Sequence, residues 1–364
     1  MTCRAGLLPA LALLVACQPE SAKSDHTLPW LSHAEWSVGG ALDGQISLST
    51  LQPFQIAADS AGRIFVLDQP TAHIFVLSPE GQVVDTIGGH GAGPGELVDP
   101  WALVPMPAGG IAAVDLGSRR LVRWDADLKP RPPISLPAGI DHPRVAAIGD
   151  ELVFTVSGVN AAGDREYRLM ASDSGRETVI SRLARPPLRI VDLPACGGRQ
   201  ISVVPLFTPQ LHWDHLGPRL AVSAGPTYDI QLYDRGLQSQ VVQRPLLPKR
   251  ATPSLAEAEA RDWRFNGCLE PPAEVVAKVG YLEMVPLIEA LLLSPAVELW
   301  VRRRARGRDA RATDVFGPDG RYLGTLDSSM PFPAAFLDPD RMLAIVPDTD
   351  DVPALTLYRL TRSQ

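Results

Sequence analysis

Asparagine is nearly missing from this chain, with Asn160 and Asn266 the two examples in 364 residues, and cysteine is rare, with four. So few cysteines exclude a disulfide-dense scaffold and a zinc site, which needs about four closely spaced ligands. There is no basic excess: the net charge is −7, which argues against a dedicated nucleic-acid binder. No apolar run is long enough to span a bilayer. Gly-x-Ser-x-Gly, His-Glu-x-x-His and Cys-x-x-Cys are all missing, which removes the commoner hydrolase and redox readings. Glycine and proline, by contrast, are plentiful at 30 and 35, and too widely spread for a helix bundle. With 45% apolar and 21% charged residues, the chain reads as a folded protein that turns often.

The N-terminus reads as a targeting segment: Arg4, an apolar run from Leu7 to Val15, then small residues before Cys17. Leu14-Val15-Ala16-Cys17 resembles the lipobox of bacterial lipoproteins, which implies cleavage before Cys17 and a diacylglycerol on its sulfur. The other readings are an ordinary secretory signal or a buried Cys in a core helix. Gln18 stands where an Asp would mark inner-membrane retention in that family, so the resemblance implies outer-membrane sorting. Residues 1–16 are then a signal peptide and the polar residues 17–33 a tether. After export Cys196 and Cys268 remain, and an oxidising compartment leads us to expect a disulfide between them, the alternative being two separate buried thiols.

A repeat occupies the rest. Pro53-Phe54-Gln55-Ile56 and Pro100-Trp101-Ala102-Leu103 each precede a Gly, Gly62 and Gly109, and then a strand, Ile64–Asp68 and Ile111–Asp115. The offset of 47 continues into a further strand, Ile74–Leu77 against Leu121–Trp124. With less fidelity, Pro143, Pro209, Pro286 and Pro333 open four more units. Their second strands are expected at Leu152–Val156, Leu220–Ser223, Val297–Val301 and Met342–Val346, and third strands end near Ala171, Tyr233, Phe316 and Leu360. The strands are continuous apolar runs, as expected when both sheet faces are buried. Small sheets of about 47 residues, repeated and covered on both faces, predict an all-β fold, a six-bladed β-propeller over residues 34–361. Seven blades would require units of about 42 residues, shorter than the spacing seen here. Glu35–Val38 precedes the first unit and could supply a strand to the last blade, closing the ring.

Gly62-Arg63-Ile64-Phe65-Val66-Leu67-Asp68, then Ile74-Phe75-Val76 and Gly81, resembles the NHL-type propeller repeat, and Gly88 to Leu97 resembles the Gly-rich inter-blade link of that family. The whole chain is similar to bacterial lipoproteins described only as six-bladed propellers. It departs from the repeat where the family often carries Asn after the blade Asp: Ala72 and Arg119 stand there.

Between the fourth and fifth units, residues 252–282 read as a helical insert. Pro253 in a first turn and a capping box from Ser254 to Glu257 start one helix, and Pro272 to Val279 forms a second. Insertions of this kind map to one face of a repeat protein, where they bind or cover.

Chemistry is sparse. Gly91-x-Gly93-x-Gly95 leads through Pro94 and Pro100 into another strand and not into a helix, so it reads as a blade-to-blade turn and not a phosphate cradle. In His212-Trp213-Asp214-His215 only His212 and Asp214 share a strand face, too few for a metal site. Innermost strands line the channel, which makes Gln55, Arg144, His212 and Glu289 the candidate ligand contacts. Calcium-dependent lactonases on six-bladed propellers hold the metal with carboxylate and Asn oxygens at the axis; here neither Asn falls in an innermost strand. Arg302, Arg303, Arg304 and Arg306 open the one basic block, suited to bidentate contact with anions. Asp68 and Asp115 fit strand-end caps. The expectation is a lipid-anchored envelope propeller that works as a binding module, with a protein or envelope polysaccharide as partner, no cofactor and no nucleic acid. The alternative is an enzyme on the same scaffold, lactonase- or lyase-like, reacting at the channel mouth.

Overall fold

The computed structural model describes residues 25–39, 51–173, 176–193, 199–261, 270–304 and 311–362. Six four-stranded antiparallel sheets account for most of them. Each of the first five blades is a meander whose strands follow in sequence order, starting at Ile56, Pro100, Ile140, Leu211 and Ile288. The sixth breaks that order: its innermost strands are Ala335–Asp338, Arg341–Pro347 and Pro353–Thr361, and its outermost is Leu31–Gly39 from the start of the chain. Leu31 pairs with Thr361 and Gly39 with Ala354, so the closing strand foreseen at Glu35–Val38 is present and longer. Full closure removes the open edge that a ring of sheets would otherwise expose.

Cores lie between neighbouring blades. Ile64 and Val66 of the first blade pack on Leu343, Leu355 and Leu357 of the sixth, which welds the ring at its join. Opposite parity sends Phe65 and Leu67 toward the second blade, where they meet Ile111, Ala113 and Trp124. Because both faces are buried, second strands such as Ile111–Asp115 are buried at every position.

Two corrections concern boundaries. The polar segment expected as a tether through residue 33 joins the propeller earlier: Leu28 and Trp30 are buried beside Trp300 and Met342, because these apolar side chains fill the seam between the fifth and sixth blades. In the fifth blade the second strand starts at Leu299, since Val297, at φ +63°, lies in the tight turn before it.

The insert holds two helices, α1 (Pro253–Ala260) and α2 (Pro272–Val279). Thr252, and not the expected Ser254, is the cap of α1, its Oγ1 accepting from Leu255 N at 3.3 Å. Pro253 therefore occupies the first helical turn, where its missing N–H costs nothing. A hairpin that the repeat pattern did not reveal, Arg189–Leu193 with Arg199–Val203, precedes the fourth blade. Val191 and Ile201 of the hairpin share a core with Ala256, Ala260, Val275 and Val279 of the helices, so hairpin and insert form one cap. In a meander, inter-blade connections and the loops between second and third strands lie at the same end. The cap, built wholly from inter-blade connections, covers that end.

Candidate functional site

Asp115 and its neighbours show how the capped end is built. Asp115 is wholly buried and accepts from Val98 N at 2.9 Å, Asp99 N at 2.8 Å and Ser118 Oγ at 2.7 Å, which locks the second blade's inner loop to the incoming strand. Burial pushes its carboxyl up, but these hydrogen bonds more than offset that and hold it below the ordinary value. Its role is thus a cap, as its repeat position suggested. The two sites where Asn would be usual, Ala72 and Arg119, both adopt left-handed backbone, at φ +57° and +54°. That conformation is one Asn tolerates well, which gives the family preference a backbone reason.

Three of the four channel candidates, Gln55, Arg144 and Glu289, are each held by a different neighbour. Gln55 is 1% exposed, and its Oε1 accepts from Gln52 N at 2.7 Å while Nε2 donates to Gln69 Oε1 at 3.4 Å, so it braces the first strand. Arg144 of the third blade pairs with Asp214 of the fourth and lies 5.3 Å over the Trp213 ring. Asp214 Oδ2 also accepts from Leu293 N at 2.6 Å, so one carboxylate ties three blades together. His212 is half-buried on the same strand face as Asp214. His215 lies on the other face, and burial, with Arg144 adding to it, keeps its imidazole below the usual value against the pull of Asp214. Glu289, at a bulge in the fifth blade's first strand, accepts from Arg311 Nε at 3.1 Å.

The basic block is not a free patch. Arg303 contacts Asp25 at 2.6 Å and Asp314 at 3.4 Å, inside a buried network where Asp314 also takes hydrogen bonds from Tyr228 Oη at 2.7 Å, Thr325 Oγ1 at 2.6 Å and Arg244 at 3.0 Å. Arg304 reaches Glu259 of α1 at 2.6 Å and thereby latches the cap to the fifth blade. Two of the expected anion contacts are therefore structural, because carboxylates of Asp25, Asp314 and Glu259 already occupy them. Arg302 differs. It lies 5.5 Å over the Phe332 ring and has no hydrogen-bond or ion-pair partner among the described residues. Burial lowers its guanidinium from the usual value, with Glu289 opposing and Arg311 adding to the shift. Cys17, Cys196, Cys268 and Arg306 lie outside the described residues. The pattern of carboxylates that consume Arg303 and Arg304 was not legible in the sequence, since Asp25 and Asp314 are 289 positions apart.

Among the described residues no group of three or more His, Cys, Asp and Glu side chains could hold a metal ion. Nor is any described helix long and apolar enough to cross a membrane.

Comparison with known proteins agrees on architecture. A family model described as 6-bladed beta-propeller matches residues 46–182. A member of the duf4221 family from Bacteroides vulgatus is similar over 92% of this chain and 99% of its own, at 11% identity and a TM-score of 0.52. Regucalcin, a calcium-binding protein from Agrobacterium tumefaciens, aligns over 87% of this chain and 93% of its own, at 13% identity and a TM-score of 0.41. Virginiamycin B lyase from Staphylococcus aureus aligns over 84% and 80%, at 10% identity and a TM-score of 0.37. No curated protein matches the chain. The family model and the duf4221 likeness support the six-bladed fold and nothing finer.

Proposed function

We propose that this chain is a lipid-anchored propeller of the bacterial envelope that binds a carboxylate-bearing partner at the capped end of its channel. The reading takes the repeat as NHL-type and the chain as a lipoprotein sorted to the outer membrane. The observation that carries the binding role is Arg302, a half-buried guanidinium stacked on Phe332 beside the Glu289–Arg311 pair and left without a partner among the described residues. A guanidinium so placed is desolvated in advance and recognises a carboxylate through two parallel hydrogen bonds. Glu289 keeps the pocket from being strongly cationic, which selects against more highly charged anions. Acidic envelope polysaccharide fits this chemistry, and so does an acidic protein surface.

Titration with acidic and neutral oligosaccharides of equal length tests the site. The acidic set should bind, and Arg302→Gln should weaken it about tenfold, as expected for a hydrogen bond to a charged group. Equal binding of both sets would refute a carboxylate site. The anchor is tested by Cys17→Ser, which should release the protein into the soluble fraction; retention at the membrane would overturn it. Thiol labelling of unfolded mature protein without reductant should leave Cys196 and Cys268 unmodified if they are joined. The enzymatic alternative has its own assay, metal content together with melting temperature before and after chelator. One tightly held metal per chain, lost with a fall in melting temperature, would favour an axial enzyme site.

A further inference from the structure

The Gly-rich link between the first and second blades walls a cavity of about 400 Å³. Strand parity builds one side. Arg120, Val122 and Trp124 alternate along the second blade's third strand, and Val122 and Trp124 pack toward the first blade while Leu121 faces the third. The outermost strand, Pro130–Ser135, supplies the opposite wall with Pro130, Pro132 and Pro133, which have no N–H to offer. That wall is fixed: Arg123 donates to Pro132 O at 2.9 and 2.6 Å, and Arg131 pairs with Asp125 at 2.6 Å.

The link is fixed too. Gly91 N donates to Leu97 O at 3.0 Å, Leu97 N to Gly89 O at 2.9 Å, and Gly93 N to Glu96 Oε2 at 2.8 Å. A Cβ on Gly91 would stand 1.9 Å from that same oxygen, so glycine is required for Glu96 to fold back over the loop. The cavity therefore exists before any ligand arrives, within the usual size range for small-molecule sites.

Its charges are arranged unusually. Arg131 is committed to Asp125, but Arg120 and Glu96 line the cavity with no ion-pair partner among the described residues and are more than 4.0 Å from each other. One unpaired cation and one carboxylate thus share a space otherwise walled by Ser118 and by proline, valine, alanine and glycine. We propose that this cavity binds a small zwitterion with apolar side chains, a hydrophobic dipeptide, with its carboxylate on Arg120 and its ammonium on Glu96. Arginine grips a terminal carboxylate bidentately, and the apolar walls take the side chains.

Calorimetric titration of the mature protein with Leu-Leu, and with the same dipeptide acetylated and amidated, decides it. Leu-Leu should bind saturably at one site per chain and the capped form should not. Arg120→Gln and Glu96→Gln should each raise Kd about tenfold or more, while Arg302→Gln at the capped end should leave it unchanged. No binding of Leu-Leu up to about 10 mM, equal binding of the capped form, or indifference to both cavity substitutions would overturn the proposal. Arg120 is exposed and paired with nothing among the described residues, so Arg120→Gln should fold normally, and an unchanged melting temperature verifies this.

Discussion

Two buried aspartates do different work in this propeller. Asp115 serves backbone amides, and its folded carboxyl is held below its ordinary value. A group shifted that way contributes stability above the unfolded carboxyl range, lost as pH falls through the folded value. Asp115→Asn should therefore cost about 1–3 kcal/mol at pH 7, with the gap to wild type closing below about pH 4. Urea unfolding at several pH values measures it. Asp314, by contrast, faces two guanidinium groups, of Arg244 and Arg303, with no exposed surface of its own. Asp314→Asn leaves buried cations undercompensated and should cost about 3–5 kcal/mol, a larger loss. Sequence carried the first aspartate as a repeat position after a strand. It carried no sign of the second, whose partners come from the fourth blade, Tyr228 and Arg244, and from elsewhere in the fifth, Arg303 and Thr325.

At the scale of elements, the join between the sixth and first blades carries the sharpest expectation. Trp36 of the closing strand donates from Nε1 to Pro79 O at 2.9 Å, and its ring covers Gly81, where an added Cβ would stand 2.7 Å from it. Gly81 also has φ +83°. Gly81→Ala should destabilise by about 1–3 kcal/mol, part backbone strain and part overpacking. In a Trp36→Ala background only the backbone part should remain, so the two changes will be non-additive in a double-mutant cycle. Removing residues through Gly39 should lower the melting temperature, and a synthetic Leu31–Gly39 peptide should restore it by refilling the sheet edge. Local grammar made these elements readable: opening prolines, apolar runs and turn glycines gave six sheets, the closing strand and both helices. The hairpin at Arg189–Val203 escaped because it breaks the repeat and its stabilising partners, α1 and α2, lie more than 50 residues on. Arg144, His212 and Glu289 lie on innermost strands, whereas Gln55 closes the short helical turn that precedes one, because Pro53 starts that turn. Their partners were not readable, since which cation meets which carboxylate is decided by blades packing side by side.

At the scale of the whole molecule, cores shared between blades mean that no blade is complete without its neighbours. A seam such as Ile64 and Val66 against Leu343 and Leu357 should make equilibrium unfolding a single transition for the propeller, with coincident fluorescence and circular-dichroism midpoints as the check. The last sheet adds a matter of timing. Leu31–Gly39 is made first and Pro353–Thr361, its partner, almost last. A chain synthesised from its N-terminus thus carries an unpaired strand until Pro353–Thr361 follows, and a chain cut short before it keeps that strand unpaired. The ring works as a check on completeness: a full-length copy seals itself, and a truncated one leaves an edge that quality-control proteases can grip.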